Sequence, residues 1–152
     1  MKQSSDAETK IIVTNRRARY EYHVLSTLEV GIVLKGTEVK SVRLRQVNLQ
    51  DCYAMVANGE LFLHNMHISP FDKGNIFNHE PLRVRKLLAS KREIRKLAQQ
   101  VNEKGLTLVP LQLYFVKQYL KIELGVCKGK KAYDKREAIK ERDNARELRR
   151  ND

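Results

Sequence analysis

The dipeptide Asn58-Gly59 constrains the fold more than any other feature. It joins two runs, DCYAMVA (51–57) and ELFLHNM (60–66), and both of its residues tolerate the positive φ that a two-residue hairpin turn demands. An isolated hairpin is marginal in water, so further strands must cover its apolar face. The chain supplies them. In LTLVPLQLYFV (106–116), Val109, Leu111, Leu113 and Phe115 are expected to share one face. Pro110 marks an edge or a bulge there, because it has no N–H for a ladder. Leu120, Ile122, Leu124 and Val126 then alternate with Lys121 and Glu123. Tyr20, Tyr22 and Val24 alternate with Glu21 and His23, which predicts a further strand, and VGIVLKG (30–36) reads as its buried continuation.

Two helices interrupt this pattern. One is predicted over 37–45, with Thr37 as N-cap and Val39 and Val42 on one side. The other begins with a capping box, Ser90-Lys91-Arg92-Glu93. Ile94, Leu97, Ala98 and Val101 follow at helical spacing and Gly105 serves as the stop, while Arg92, Arg95 and Lys96 lie off the apolar stripe. Residues 67–82, with Pro70, Gly74 and Pro81, read as loop. The expected architecture is mainly β: an antiparallel barrel with helices at its openings. There is no internal repeat.

The length of 152 residues suits one domain. Its expected division is a flexible segment over 1–10, a barrel over 11–127 and a basic tail over 128–152. A net charge of +12 and a pI near 9.9 point to a polyanionic partner, nucleic acid first. Basic residues gather in Arg16-Arg17-Ala18-Arg19, in the run from Arg83 to Lys96, and in 128–136. The tail has too few apolar residues to pack alone. Yet Glu137–Lys140, Asp143–Arg146 and Glu147–Arg150 are acid–base pairs at i,i+3. It is expected to be disordered when free and helical when a partner holds it.

Cys52 and Cys127 read as free thiols of an intracellular chain, which is expected to have neither a leader nor a membrane span. Tyr20, Tyr22 and Tyr53 are either core residues or stacking platforms for bases. Tyr133, in a segment with no core to join, reads as a recognition residue. His64 and His67, with Asp51 and Asp72, lack helical convergence on one point. There is also no HExxH, Cys-x-x-Cys or glycine-rich phosphate loop. The reading is a binding protein without catalytic residues, metal or cofactor. A general RNA-binding or ribosomal protein and a metal nuclease stand as alternatives.

Several motifs occur in order: NRRARYEY (15–22), GTEVKS (36–41), NMHISP (65–70), RVRKLL (83–88), TLVPLQLYF (107–115) and GKKAYDKR (129–136). Together they resemble the small protein B family, the SsrA-binding proteins of bacteria, over about residues 15–136. The resemblance implies an oligonucleotide-binding (OB) type barrel with three helices. It implies a cytoplasmic, membrane-free, monomeric protein that binds the tRNA-like domain of transfer-messenger RNA. Such a protein delivers that RNA, with elongation factor Tu, to stalled ribosomes for trans-translation. It implies that Glu29, Leu88 and Lys121 support RNA binding. The motifs and basic runs add Asn15, Arg16, Arg17, Lys40, Arg43, Arg83, Arg85 and Lys86 as candidates. It also implies that Gly129, Lys130, Lys131, Asp134, Lys135 and Arg136, with Lys128 and Tyr133 among them, enter the empty decoding centre and mRNA channel. Three positions depart from the family pattern. Val30 stands for a usual Ala, Arg45 for a usual Gly, and Tyr133 for a frequent His.

Overall fold

The computed structural model describes residues 9–72 and 78–130. Its elements are β1 (Thr9–Thr14), α1 (Ala18–Glu21), β2 (Tyr22–Ile32), α2 (Gly36–Arg43), β3 (Val47–Asn48), β4 (Tyr53–Ala57), β5 (Glu60–His64), β6 (His67–Ile68), β7 (Arg85–Leu88), α3 (Lys91–Lys104), β8 (Thr107–Val116) and β9 (Tyr119–Gly129). All strand pairings are antiparallel. The main sheet runs β1-β8-β4-β5-β7-β2-β9, and β8 also pairs with β9, so six strands close on themselves while β1 lines the side of β8. Closure removes the unpaired edges that an open sheet would expose. Among the described residues the fold is the OB-type barrel with three helices that the family resemblance implies.

The β4–β5 hairpin turns at Asn58 (φ 53) and Gly59 (φ 76), both left-handed as the Asn-Gly signal requires. In α3 the Ser90 hydroxyl accepts from Glu93 N–H at 3.1 Å, the Glu93 carboxylate accepts from Ser90 N–H, and Gly105 ends the helix at φ 62. Ile94 and Leu97 are buried, whereas Arg92, Arg95 and Lys96 are exposed. Leu61, Leu63, Leu108, Leu113, Ile122 and Leu124 form the centre of the barrel core, joined by Val42 from α2. Fully burying a side chain of that kind contributes about 1.5–3 kcal/mol.

Four expectations are corrected. Tyr20 is not in a strand; residues 18–21 form the short α1, and β2 starts at Tyr22. The second helix starts at Gly36, not Thr37. Lys35 is its N-cap and its N–H donates to the Glu38 carboxylate at 2.7 Å, while the Thr37 hydroxyl is engaged by His79 Nδ1 at 2.9 Å. His67 is strand, in the β3–β6 pair. The face expected for Val109, Leu111, Leu113 and Phe115 is split. Leu111 is an extra residue between the pairs Pro110↔Leu124 and Gln112↔Glu123, so the alternation inverts there. Val109 and Leu111 pack outside the barrel with Ala18 and Cys127, while Leu113 and Phe115 face the core. Gly125 makes room for that outer cluster, since a Cβ on it would lie 3.0 Å from Leu111 Cδ1.

The expected boundaries shift as well. Thr9 and Lys10 already belong to β1, paired with Val116 and Phe115. Lys128 and Gly129 belong to β9, opposite His23 and Tyr22, and Lys130 N–H donates to Glu21 O at 2.9 Å. Lys131, Tyr133, Asp134, Lys135 and Arg136, and the expected disorder and helicity of the tail, lie outside the described residues.

Candidate nucleic-acid interface

Cross-strand register places one set of side chains on the barrel's outer wall. Ile11 pairs with Tyr114, Tyr114 with Lys121, Lys121 with Gly31, and Gly31 with Leu88. Directly opposed residues in a sheet project to the same side. A single row therefore crosses five strands, β1, β8, β9, β2 and β7. Its two ends are apolar and open: Ile11 is 47% and Leu88 51% exposed. The adjoining row is Thr14, Gln112, Glu123 and Glu29. The Tyr114 hydroxyl ties the rows together by donating to Glu29 Oε2 at 2.6 Å. Glu29, Leu88 and Lys121, widely separated in sequence, thus share one face. Lys86 stands on the same side of β7 as Leu88, ion-paired with Glu60 at 3.1 Å.

Gly31 is part of why the row is compact. A Cβ at that position would sit 3.2 Å from Leu88 Cβ, so glycine lets Leu88 lie flat across β2. Burial, and then the hydrogen bond to Glu29, push the Tyr114 hydroxyl above its usual pKa. It therefore remains a donor at neutral pH.

Two sequence candidates lie inside instead. Arg85 pairs with Leu63 and points into the barrel, where its side chain has no exposure to solvent. Its Nε–H donates to Glu38 Oε2 at 2.6 Å, Nη1 to Met66 O and Nη2 to Pro81 O at 3.2 Å. Arg83 grips the same carboxylate from its edge through Nε and Nη2. Arg85 is thus corrected from an RNA contact to a core ion-pair residue, and Arg83 is mostly committed to the same pair. Burial pushes the Glu38 carboxyl up. The hydrogen bonds from Arg83, the Lys35 backbone and Arg85 outweigh it and hold the carboxyl below its usual range. Both charges are buried, but every donor and acceptor is engaged.

The remaining candidates fall on separate surfaces. Asn15 is a staple: its amide nitrogen donates to Pro110 O at 3.0 Å and Leu49 O at 3.4 Å, which holds the end of β1 against the β8 bulge. Arg16 and Arg17 are exposed beside it, and Arg17 pairs with Glu21 at 3.5 Å. Asn15, Arg17, Glu21, Asp51 and Tyr53 are among the residues lining a cleft of about 250 Å³. Lys40 and Arg43 are exposed on α2, where Lys40 Nζ lies 5.4 Å from the centroid of Phe71 and the Arg43 guanidinium 5.3 Å from that of Phe115. Tyr53 stacks on His64 with centroids 5.2 Å apart, and Tyr22 packs on the outer cluster, so neither ring stands free.

Sequence reasoning passed over Tyr114, Ile11 and Tyr119. Tyr119 is 61% exposed two positions before Lys121 on the same side of β9. The alternation Tyr119-x-Lys121-x-Glu123 carried that signal; Tyr114 already fell opposite Leu113 and Phe115, and its use shows only through its distant partner Glu29. Among the described residues no group of three histidine, cysteine or acidic side chains is placed to hold a metal, and no helix is long and apolar enough to cross a membrane. Burial pushes the Cys52 thiol to about 12 and the Cys127 thiol to about 11.

Comparison with known proteins gives the family. An SsrA-binding protein of Carboxydothermus hydrogenoformans is 63% identical over 139 residues, 91% of this chain and 93% of that protein. One from Geobacillus thermodenitrificans is 54% identical over 143 residues, covering 94% and 92%. A chain in a solved structure described as "tmRNA-SmpB: a journey to the center of the bacterial ribosome" superposes with a TM-score of 0.68 at 49% identity, covering 84% of this chain and 93% of that one. The family described as SmpB protein matches residues 12–152. The chain belongs to the SmpB protein family.

Proposed function

We propose that this chain binds the tRNA-like domain of transfer-messenger RNA and brings it to ribosomes stalled without a codon, where trans-translation tags the nascent chain. The observation that carries the reading is the outer row Ile11–Tyr114–Lys121–Gly31–Leu88 with Glu29 beside it, on a molecule of net charge +12. Lys121 and Lys86 offer phosphate contacts. Glu29 offers an acceptor for base amino groups or ribose hydroxyls, and Leu88 and Ile11 offer flat apolar area for exposed bases or sugars. A wall of this kind recognises a folded RNA elbow by shape. Arg16, Arg17, Lys40 and Arg43 give the remaining surface a long-range attraction for phosphate. The chain works as a cytoplasmic monomer alongside elongation factor Tu. It performs no chemistry of its own.

The C-terminal part is the ribosome-facing end. Lys128, Gly129 and Lys130 emerge from β9, and Lys131, Tyr133, Asp134, Lys135 and Arg136 continue into the decoding centre and mRNA channel. The test is a titration of the tRNA-like RNA fragment and a generic RNA duplex across a salt series. The reading requires preference for the fragment at physiological salt, because phosphate contacts alone give indiscriminate binding that salt abolishes. Equal affinity for both would favour a general RNA-binding role instead. A truncation after Lys130 should keep fragment binding and lose tagging.

A further inference from the structure

We propose that Tyr114 is a positioning residue for RNA recognition: its hydroxyl fixes one oxygen of Glu29 so that the other is presented to the RNA. The inference rests on reading Glu29 as an RNA contact, and it adds the group that makes Glu29 competent. Glu29 is exposed, and a glutamate at such a site samples several rotamers that binding would have to order. Its direct cross-strand neighbour is Glu123, another carboxylate, and like charges opposed across a ladder push apart. Left to that repulsion, the Glu29 side chain would swing away from the row.

The Tyr114 hydroxyl opposes this. It reaches Glu29 Oε2 at 2.6 Å, the short length typical of a hydroxyl donating to a charged carboxylate. The donor itself is well held. Tyr114 is 8% exposed, sits on β8 between Ile11 of β1 and Lys121 of β9, and keeps its proton because burial and Glu29 both disfavour the phenolate. Among the described residues, Glu29 Oε1 has no hydrogen-bond partner. One oxygen is anchored and one is offered, beside Lys121 and across from Leu88. The arrangement pre-orders an acceptor whose neighbours supply a cation and an apolar surface.

Tyr114→Phe removes the hydroxyl and keeps the ring, so the outer wall retains its packing and Glu29, being exposed, is not left as a buried orphan. The experiment titrates the tRNA-like RNA fragment against wild type, Tyr114→Phe, Glu29→Ala and the double variant across a salt series, with thermal unfolding of each. The expected result for Tyr114→Phe is an affinity loss of about two- to tenfold, the range that ordering one side chain covers. Its slope of log affinity against log salt should be unchanged, since no phosphate contact is lost. In the Glu29→Ala background the same substitution should cost nothing further. If Glu29→Ala weakens binding while Tyr114→Phe does not, or if Tyr114→Phe costs as much with Glu29 absent, the positioning role is overturned and the Glu29 contact stands. If Glu29→Ala binds like wild type, the Glu29 contact itself falls, and this inference with it.

Discussion

Glu38 Oε2 accepts the Nε–H of Arg85 at 2.6 Å, and neither side chain has any solvent exposure. The carboxylate comes from the first turn of α2 and the guanidinium from the inner face of β7, so the pair ties a helix to the barrel interior. Breaking such a pair from one side strands a buried charge, which costs about 3–5 kcal/mol. Glu38→Ala should therefore lower the urea-unfolding free energy by about that amount. Arg85→Lys should not preserve stability, because an ammonium cannot reproduce the guanidinium's three directed bonds to Glu38, Met66 and Pro81.

The same carboxylate makes stability depend on acid. Its folded pKa lies below the ordinary 4.5, so the unfolded chain binds the proton at higher pH than the folded one. The stabilisation is fully present above the ordinary value and is lost as pH falls through the depressed one. Urea midpoints measured downward from pH 6 should fall for wild type. The fall should be shallower for Glu38→Gln, which has no proton to gain.

Arg45 stands at φ 61, a left-handed position after α2 that suits glycine. Its guanidinium donates to Ile11 O at 2.8 Å and Ile12 O at 2.9 Å, where Ile12 is the extra residue of the β1 bulge. The backbone cost is offset by tying α2 to β1. Arg45→Ala keeps the strain and loses the tie, whereas Arg45→Gly loses the tie but relieves the strain. The alanine variant should be the less stable of the two by about 1 kcal/mol in thermal or urea unfolding.

On the outer wall, Lys121→Ala should weaken binding of the tRNA-like fragment and reduce the salt slope by about 1, with the unfolding curve unchanged. Gly31→Ala should also weaken it by displacing Leu88, whose Cβ lies 3.2 Å from the added methyl. In that case the salt slope should stay as in wild type, because the lost contact is apolar.

With thiols at about 12 and about 11, neither cysteine holds much thiolate at neutral pH. A disulfide reagent at pH 7.5 should leave both unmodified in the native protein and react promptly once urea unfolds it.

Local chemistry was legible from the residues. Asn58-Gly59, the Ser90–Glu93 box and the alternation through Leu120, Ile122, Leu124 and Val126 each specify their own conformation, and the structure contains all three. Long-range partners were not legible. Arg85 and Lys86 are adjacent basic residues, and only Glu38, far away in sequence, decides which of them turns inward. Thr37 is a good N-cap by type, but His79 engages its hydroxyl. Pro110 marked the place of the β8 bulge, but hydrophobicity is continuous on both sides of it, so no periodicity showed that Val109 and Leu111 turn outward. The family resemblance drew attention to Glu29; why that side chain is well placed emerged only from Tyr114 beside it.

The β8 bulge has one more effect. Pro110 offers no N–H, Asn15 clamps its carbonyl, and Leu111 fills the gap outside, so β8 and β9 engage like a toothed rack at a single setting. A slip of one tooth would turn Phe115 outward and bury the Tyr114 hydroxyl. The irregular strand thereby guards the wall's pattern against sliding out of phase.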